Sequence, residues 1–595
     1  MPRPPRRCPA QVMGSAAETT LWVRAFCDEL ARAGVHEVVV VPGSRSTPLV
    51  MAFARDERFT VRVHLDERSA AFFALGVGKA SGVPAVVVTT SGTATTNVFP
   101  ALIEAAQSEA PLLVLTADRP HHLRDSDANQ AIDQLRLFGP YVRAFFDVAP
   151  PTMEEPAVRH LRTLAGRAVA AARGVPAGPV HVNFPLDKPL EPSDEPNEAL
   201  SGAGRSAGAP FVHVDSGRLA VSSEVLEALV AALDTPRGLI VAGPSADPAR
   251  SGAAAIRLAA ATSFPILADP LSGARYAPSH GAHVVAGYDL FLRDSDVRAA
   301  LAPSLVLRVG SSPTSAALLG WLLHHKGVRH VVVDGGGRWK DHGATATEYV
   351  HADAADTLAT LAERAVSSAA DEWRAAWRSA ESATRAAAVS LGGERHEGEV
   401  LATVSATVPE ATNLFVSSSM PIRDLDAFGF PREETLQVFG NRGASGIDGI
   451  VSTAFGVAAA TGRPTVCVIG DVALFHDQNG MLWSREPDAC VVFVLIDNDG
   501  CGIFHMLPIA RHDPEFTKYF VTPHGLDLRH IADMHGVAFT DSEIDALGDA
   551  LSAALESART CVVRVRTDRE TNLRRRQEIA HAVAEAVREA LTPTD

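Results

Sequence analysis

The chain has no cysteine pair spaced C-x-x-C, no apolar run long enough to cross a membrane and no excess of positive charge. Its six cysteines (Cys8, Cys27, Cys467, Cys490, Cys501, Cys561) are scattered over 595 residues, which argues against a zinc site and against a disulfide framework, and makes a reducing cytoplasm the expected setting. The longest apolar runs, such as the one from Cys490 to Ile496, fall far short of a bilayer span. A formal net charge of −16 repels nucleic acid and anionic membrane surfaces. Neither is an expected partner, and an anionic small molecule must be captured by local arginines against the overall field. The opening Met1-Pro-Arg-Pro-Pro-Arg-Arg-Cys-Pro9 is basic and proline-rich with no apolar stretch behind it, unlike a secretory signal. Residues 1–17 are therefore expected to form a disordered extension, with Met13 as an alternative start.

What remains is ordinary globular composition, 46% hydrophobic and 21% charged, in a chain long enough for three or four domains of roughly 150 residues. From Thr20 onward, amphipathic helices alternate with short β-branched runs: 37–42 (Glu-Val-Val-Val-Val-Pro), 61–65, 85–90, 112–117 and 180–185. Continuous β-branched runs between helices mark a parallel sheet covered on both faces. A Pro/Gly/Ser-rich linker follows Leu190, and a second series of runs occupies 238–244, 264–270, 304–313 and 328–337, closing on an Ala/Arg/Glu-rich helical stretch from Ala355 to Ala388. A third begins near Glu397, with runs at 414–420, 465–471, 491–498 and 561–567. The reading is α/β, with three doubly wound parallel-sheet domains over residues 18–195, 210–390 and 397–592.

The strongest local signal is Ile469-Gly-Asp-Val-Ala-Leu-Phe-His-Asp-Gln-Asn-Gly480 followed by Leu495-Ile-Asp-Asn-Asp-Gly500. In each, a buried run ends in hard oxygen donors. Ligands of open α/β sheets sit at the carboxyl ends of strands, so Asp471 and Asn498 can converge on one cation. Mg²⁺ takes few protein oxygens and fills its octahedron with phosphate and water; a carboxylate, an amide oxygen and the Gly500 carbonyl suit it, and Gly470 lets backbone approach phosphates. Singly, Asp471 also reads as a helix cap and Asn498-Asp-Gly as a turn. Gly76-Val-Gly-Lys-Ala-Ser-Gly82 looks loosely like a dinucleotide loop, but its spacing is wrong and it lies within a predicted helix.

The separation of 27 positions between Asp471 and Asn498 resembles the signature of the thiamine-diphosphate-dependent enzymes: Gly-Asp, about two dozen residues, then an Asn at a strand end. The resemblance implies pyrimidine-binding, middle (transhydrogenase-like) and diphosphate-binding domains in that order, with thiamine diphosphate and Mg²⁺, or Mn²⁺ in its place, as cofactors. Activation of that cofactor needs one carboxylic acid against its aminopyrimidine. Glu67 in His64-Leu-Asp-Glu-Arg-Ser-Ala70, with Ala70, Ala74 and Gly76 behind it, resembles the family's Glu-x-x-Ala-x-x-x-Ala-x-Gly pattern; taken alone it also reads as an acid favoured by a helix N-terminus. Ile447 resembles the bulky residue that props the cofactor in its bent form. The family holds the two cofactor ends on different subunits, implying a homodimer or homotetramer.

The resemblance narrows in Val40-Val-Pro-Gly-Ser-Arg-Ser-Thr-Pro-Leu49, Thr90-Ser-Gly-Thr-Ala-Thr-Thr-Asn97, Leu115-Thr-Ala-Asp-Arg-Pro120, Ala128-Asn-Gln-Ala-Ile132, Asn441-Arg-Gly-Ala-Ser-Gly-Ile-Asp-Gly449 and Asp499-Gly-Cys-Gly-Ile-Phe504. These are similar to the 2-succinyl-5-enolpyruvyl-6-hydroxy-3-cyclohexene-1-carboxylate synthases of menaquinone biosynthesis. The implied reaction decarboxylates 2-oxoglutarate and adds the succinyl carbanion to isochorismate. Both substrates are dicarboxylates, and guanidinium forks at Arg45, Arg119, Arg423 and Arg442 suit them. Ser44, Ser419 and Gln130 can hydrogen-bond substrate, Gln130 also through a water, and Phe504 and Leu507 can wall the pocket. Three positions depart from the family pattern: Ala473 stands where a hydroxyl is usual, Asp497 replaces the first of two asparagines, and no basic residue follows Gly310-Ser-Ser. The competing expectations are another enzyme of the class, such as an acetolactate-synthase-like carboligase using pyruvate, and a non-catalytic binding protein of the same fold.

Overall fold

A computed structural model describes residues 15–193 and 204–592, and they form two compact units divided between Ser216 and Gly217. Most of the expected basic extension, with Met13, and the centre of the expected linker lie outside the described residues. The first helix, Ala16–Arg32, opens earlier than the extension allowed for. Ser15 and Glu18 form a reciprocal capping box, Glu18 N donating to Ser15 Oγ at 3.2 Å and Ser15 N to Glu18 Oε2 at 2.8 Å, which satisfies two of the donors a helix start leaves free.

In the first unit β1 (Glu37–Val40), β2 (Thr60–Val63), β3 (Ala85–Thr89), β4 (Leu112–Asp118), β5 (Ala144–Asp147) and β6 (Pro179–Pro185) form one sheet in the order β2-β1-β3-β4-β6-β5. Every neighbouring pair is parallel. β3, β4 and β6 are buried along their full length, as expected of strands covered on both faces. The order reverses between β1 and β3, and a crevice at the carboxyl ends is the binding position such sheets offer. Helix Glu67–Ser81 follows β2; Asp66 caps it, accepting from Arg68 N at 2.8 Å, and Gly82 ends it in the left-handed region. The glycine-rich segment 76–82 therefore belongs to this helix and its cap, as its wrong spacing anticipated.

The second unit holds two further six-stranded sheets. β7 (Gly238–Ala242), β8 (Ile266–Ala268), β9 (Val284–Val285), β10 (Leu305–Val309), β11 (Arg329–Val333) and β12 (Glu348–Val350) are ordered β12-β11-β10-β7-β8-β9. β13 (Asn413–Val416), β14 (Gln437–Phe439), β15 (Thr465–Gly470), β16 (Val491–Asp497), β17 (Ala538–Asp541) and β18 (Cys561–Arg566) are ordered β14-β13-β15-β16-β18-β17. The first and last sheets thus repeat one topology and the middle sheet has another. The helical stretch read from Ala355 to Ala388 is two helices, Ala354–Arg364 and Asp371–Ser390. Between them Ala365 is extended, Ser368 Oγ donates to the Leu233 carbonyl at 2.6 Å and Ala370 N to Pro236 O at 2.9 Å; side-chain and backbone partners outside the helix outcompete its continuation.

The middle and last sheets share a core within this unit. Trp321, Trp373 and Trp377 pack in one cluster with Phe428, Ile579, Val583 and Val587. Arg275, fully buried, donates to Asp426 Oδ1 at 2.6 Å and to the carbonyls of Ala268 (2.6 Å), Leu425 (3.1 Å), Asp426 (2.7 Å) and Gly429 (3.2 Å), while Tyr288 OH donates to the same Asp426 Oδ1 at 2.7 Å. Burial pushes the Asp426 carboxyl up to about 7, against the pull of Arg275. Removing one partner of such a pair strands the other in low dielectric. Arg275→Met is expected to destabilise the second unit by roughly 3–5 kcal/mol, read as an earlier urea midpoint in tryptophan emission; a midpoint equal to wild type would show the pair to be dispensable.

Candidate active site

In the second unit β15 and β16 are neighbours and Gly470 pairs with Ile496, so the residues that follow them leave the sheet side by side. Asp471 opens the short helix Asp471–His476 and is 2% exposed. Its Oδ2 accepts from Asn498 N at 3.2 Å, Gly500 N at 2.9 Å and His524 Nε2 at 3.2 Å, and its Oδ1 from Val472 N at 2.7 Å. Burial holds the carboxyl above its usual range although these donors pull it down. Among the described residues no lysine or arginine pairs with it; His524 is the one ionisable partner.

The residues present fit a divalent cation and a diphosphate. Asn498 Oδ1 is buried with no hydrogen-bond partner, and buried amide oxygens are normally satisfied. Asp471 Oδ1, with a single donor, keeps lone-pair capacity. Arg569 Nη1 takes the carbonyls of Asn498 and Asp499, so of the three successive loop carbonyls Gly500's is the one that no guanidinium among the described residues occupies; among them it accepts only Gly502 N at 3.1 Å. Gly500 must be glycine: its φ is +139° and a Cβ would stand 2.3 Å from the Val521 carbonyl oxygen. Nothing lies within 4 Å of a Cβ built on Gly470, which is open space beside a strand end, where phosphates approach backbone. The Asp471, Asp497 and His524 ligand atoms lie within 4.8 Å of one another, but Leu526 N donates to His524 Nδ1 at 3.0 Å. The imidazole hydrogen therefore sits on Nε2, and His524 is a donor to Asp471 rather than a cation ligand. Asp497 faces Arg564 Nη1 at 3.4 Å, so this departure from the family pattern serves an ion pair.

Ser419, at φ +74°, precedes helix Met420–Phe428, and its carbonyl accepts from Arg423 Nη1. Burial and then the neighbouring Arg442 and Arg576 hold the Arg423 guanidinium below its usual range; the structure thus brings Arg423 and Arg442 together. Asp424 and Asp289 pull the proton affinity of Arg423 the other way. Ile447 is half-buried in the loop before helix Ile450–Thr461, and Phe504 and Leu507 follow the Asn498 loop, Leu507 47% exposed and Phe504 edge-on to Phe520. Ala473 is buried in its short helix and offers no hydroxyl.

In the first unit the predicted residues collect at the carboxyl ends of β1, β3 and β4. Arg45 is buried and donates to Leu186 O at 2.7 Å, while its Nε has no partner. Burial and then Arg119 lower its affinity for the proton. Among the described residues the Arg119 guanidinium bonds only neutral acceptors, Ser91 Oγ at 3.0 Å and Asn129 O at 2.6 Å. Among the described residues neither arginine has a carboxylate within ion-pair distance. Gln130, at φ +57°, donates from Nε2 to Ser91 O at 2.9 Å, and Ser44 is exposed beside Arg45. Glu67 stands half-exposed at the head of its helix, Oε2 facing Asn97 Nδ2 at 3.4 Å, with the exposed side chains of Val63 and Leu65 close by in sequence.

Sequence reasoning missed Glu397, His524 and Arg569, which surround the Asn498 loop. Glu397 is buried and accepts from Asn498 Nδ2 at 2.8 Å; burial and the nearby Asp424 push it up to about 7. Its only visible signal was a helix-start pattern, His396 and Glu399 forming a capping box.

Family models match three successive stretches of the chain. The thiamine pyrophosphate enzyme N-terminal TPP binding domain matches residues 22–137, the middle domain of thiamine pyrophosphate enzymes residues 209–416 and the C-terminal TPP binding domain residues 426–565. Proteins named 2-succinyl-5-enolpyruvyl-6-hydroxy-3-cyclohexene-1-carboxylate synthase from Halobacterium salinarum and Chloroflexus aurantiacus are 48% and 43% identical, over 96% of this chain in each case and 99% and 97% of the relative. A benzoylformate decarboxylase structure from Polynucleobacter necessarius, 18% identical over 92% of this chain and 98% of its own, superposes with a TM-score of 0.70 and so shares the fold. The chain belongs to the thiamine-diphosphate-dependent enzymes, in the family of 2-succinyl-5-enolpyruvyl-6-hydroxy-3-cyclohexene-1-carboxylate synthases.

Proposed function

We propose that the chain decarboxylates 2-oxoglutarate with thiamine diphosphate and Mg²⁺ and joins the succinyl unit to isochorismate, a carbon–carbon bond-forming step of menaquinone biosynthesis, in the cytoplasm. The observation that carries the substrate class is the two arginine pairs, Arg45 with Arg119 and Arg423 with Arg442: burial and then the neighbouring guanidinium hold Arg45 and Arg423 below their usual proton affinity. Such pairs suit dicarboxylates, which guanidinium forks grip bidentately. The names of the relatives point the same way. No helix among the described residues is long and apolar enough to cross a membrane, in keeping with small-molecule chemistry away from the bilayer.

When bound, the cofactor supplies the electron sink for decarboxylation. The chain's residues hold and orient. Asp471, Asn498 and the Gly500 carbonyl would hold Mg²⁺, with Mn²⁺ an acceptable substitute, and Gly470 leaves room for the diphosphate. Glu67 would hold a proton at its carboxyl against the pyrimidine ring, and Ile447 would support the bent cofactor. Arg45, Arg119, Arg423 and Arg442 would take substrate carboxylates, with Ser44, Ser419 and Gln130 as neutral partners and Phe504 and Leu507 excluding water. Gln130, already fixed to Ser91 by Nε2, keeps its Oε1 for substrate or a water.

The direct assay supplies 2-oxoglutarate alone and then with isochorismate, and follows carbon dioxide and product. Wild type is expected to turn over the pair and Glu67→Gln to lose at least roughly 10²-fold in kcat; turnover of pyruvate but not of this pair, or an unimpaired Glu67→Gln, would reject the assignment. In calorimetry Asp471→Ala should weaken Mg²⁺ and thiamine diphosphate together, and unchanged cofactor affinity would remove Asp471 from the cation site.

We also propose a homodimer, or a homotetramer built from it, with each site completed by a partner; the exposed Val63 and Leu65 near Glu67, at 55% and 73%, support an apolar contact there. Mixing Glu67→Gln with Asp471→Ala and exchanging subunits should then restore roughly a quarter of wild-type sites, since half the dimers are mixed and each carries one intact site. No restoration despite demonstrated exchange would place both residues of a site on one chain.

A further inference from the structure

The orientation of the Asn498 amide is set by a residue outside every segment singled out in the sequence, Glu397. Glu397 is the first residue of helix Glu397–Thr407 and is 1% exposed. Its backbone N–H donates to Asn572 Oδ1 at 3.1 Å, and its Oε1 accepts from Thr567 Oγ1 at 3.0 Å and from Asn498 Nδ2 at 2.8 Å. Asn498 Oδ1 is left buried and unpartnered. Gly502 permits this placement, since a Cβ there would come within 3.0 Å of Asn498 Nδ2.

An asparagine amide presents either an oxygen or an NH₂ group, and the two ends differ little in size. Toward a cation they have opposite effects. With the oxygen turned to Glu397, two acceptors would face each other while the NH₂ hydrogens met the cation. The carboxylate acceptor, itself held by Thr567 Oγ1 while Asn572 fixes the Glu397 backbone, excludes that state, so Asn498 arrives with its oxygen already aimed. Outer partners that orient first-contact ligands are known to govern metal affinity.

We propose that Glu397 is a positioning residue for the cation that anchors the cofactor: by accepting from Asn498 Nδ2 it selects the amide orientation that offers Oδ1. This rests on Asn498 being a cation ligand. Only an acceptor is needed, so Glu397→Gln retains the function, whereas Glu397→Leu frees the amide to turn. The test is calorimetric titration of Mg²⁺ into full-length enzyme saturated with thiamine diphosphate. Glu397→Leu is expected to weaken Mg²⁺ roughly 10- to 100-fold and Glu397→Gln to stay within a few-fold of wild type. In an Asn498→Asp background the carboxylate has no wrong end, and Glu397→Leu should there cause no further loss.

Asn498→Ala separates the two claims. If it leaves Mg²⁺ affinity unchanged, the ligand reading fails and the proposal with it; if it weakens Mg²⁺ while Glu397→Leu does not, only the role of Glu397 is overturned. An equal loss from Glu397→Leu in both backgrounds would make Glu397 a general structural residue and overturn its role as well. Should Glu397→Leu not fold, Glu397→Met, flexible enough to fill the same space, reads the same quantity with the same outcomes.

Discussion

The second unit's site depends on one register: β15 against β16, with Gly470 opposite Ile496. Parallel strands end on the same side of their sheet, so Asp471 and Asn498 emerge together although 27 positions separate them. The Asn498 loop folds back on Asp471 through the N–H groups of Asn498 and Gly500, which gathers a carboxylate, an amide oxygen and a carbonyl at one point. A buried carboxylate without a paired cation is costly, and the divalent ion proposed here would offset it.

Electrostatics in this protein is local. The chain carries net −16, yet arginines crowd against arginines at Arg45/Arg119 and at Arg423/Arg442. Elsewhere arginines are neutralised at short range: Arg162 by Glu29 at 2.5 Å and Arg275 by Asp426 at 2.6 Å. Among the described residues the Arg45 and Arg119 guanidinium groups, by contrast, hydrogen-bond only neutral acceptors. The distinction is one of surroundings, since the residue type is the same.

The first and last sheets share the strand order 2-1-3-4-6-5 in their own numbering, while the middle sheet departs from it. The middle sheet is tied to the last through the tryptophan cluster and the Arg275 network. It thus stabilises the unit that carries Asp471 and Asn498. Its own strand-end loop, Gly310-Ser-Ser-Pro-Thr-Ser315, carries no cationic side chain with which to hold a substrate carboxylate.

The three-layered α/β plan, its central strands and the pairing of Gly-Asp with a distant Asn were legible in the sequence, because β-branched runs between amphipathic helices and oxygen donors at strand ends are local patterns. Short edge strands such as β9 and β14 were not, having too few apolar residues to form a run, nor was the break after Arg364, where serine hydroxyls find partners only in the folded chain. The arginines could be named from their motifs, but which faced one another could not. Glu397 and Arg569 reach Asn498 across 101 and 71 positions and His524 reaches Asp471 across 53, and contacts at such separations leave no periodicity in the chain. The sequence by itself determined which donors end which strands; only tertiary structure decided which way the Asn498 amide points and what holds it there, because a side chain's orientation is set by neighbours that folding, not chain order, brings to it.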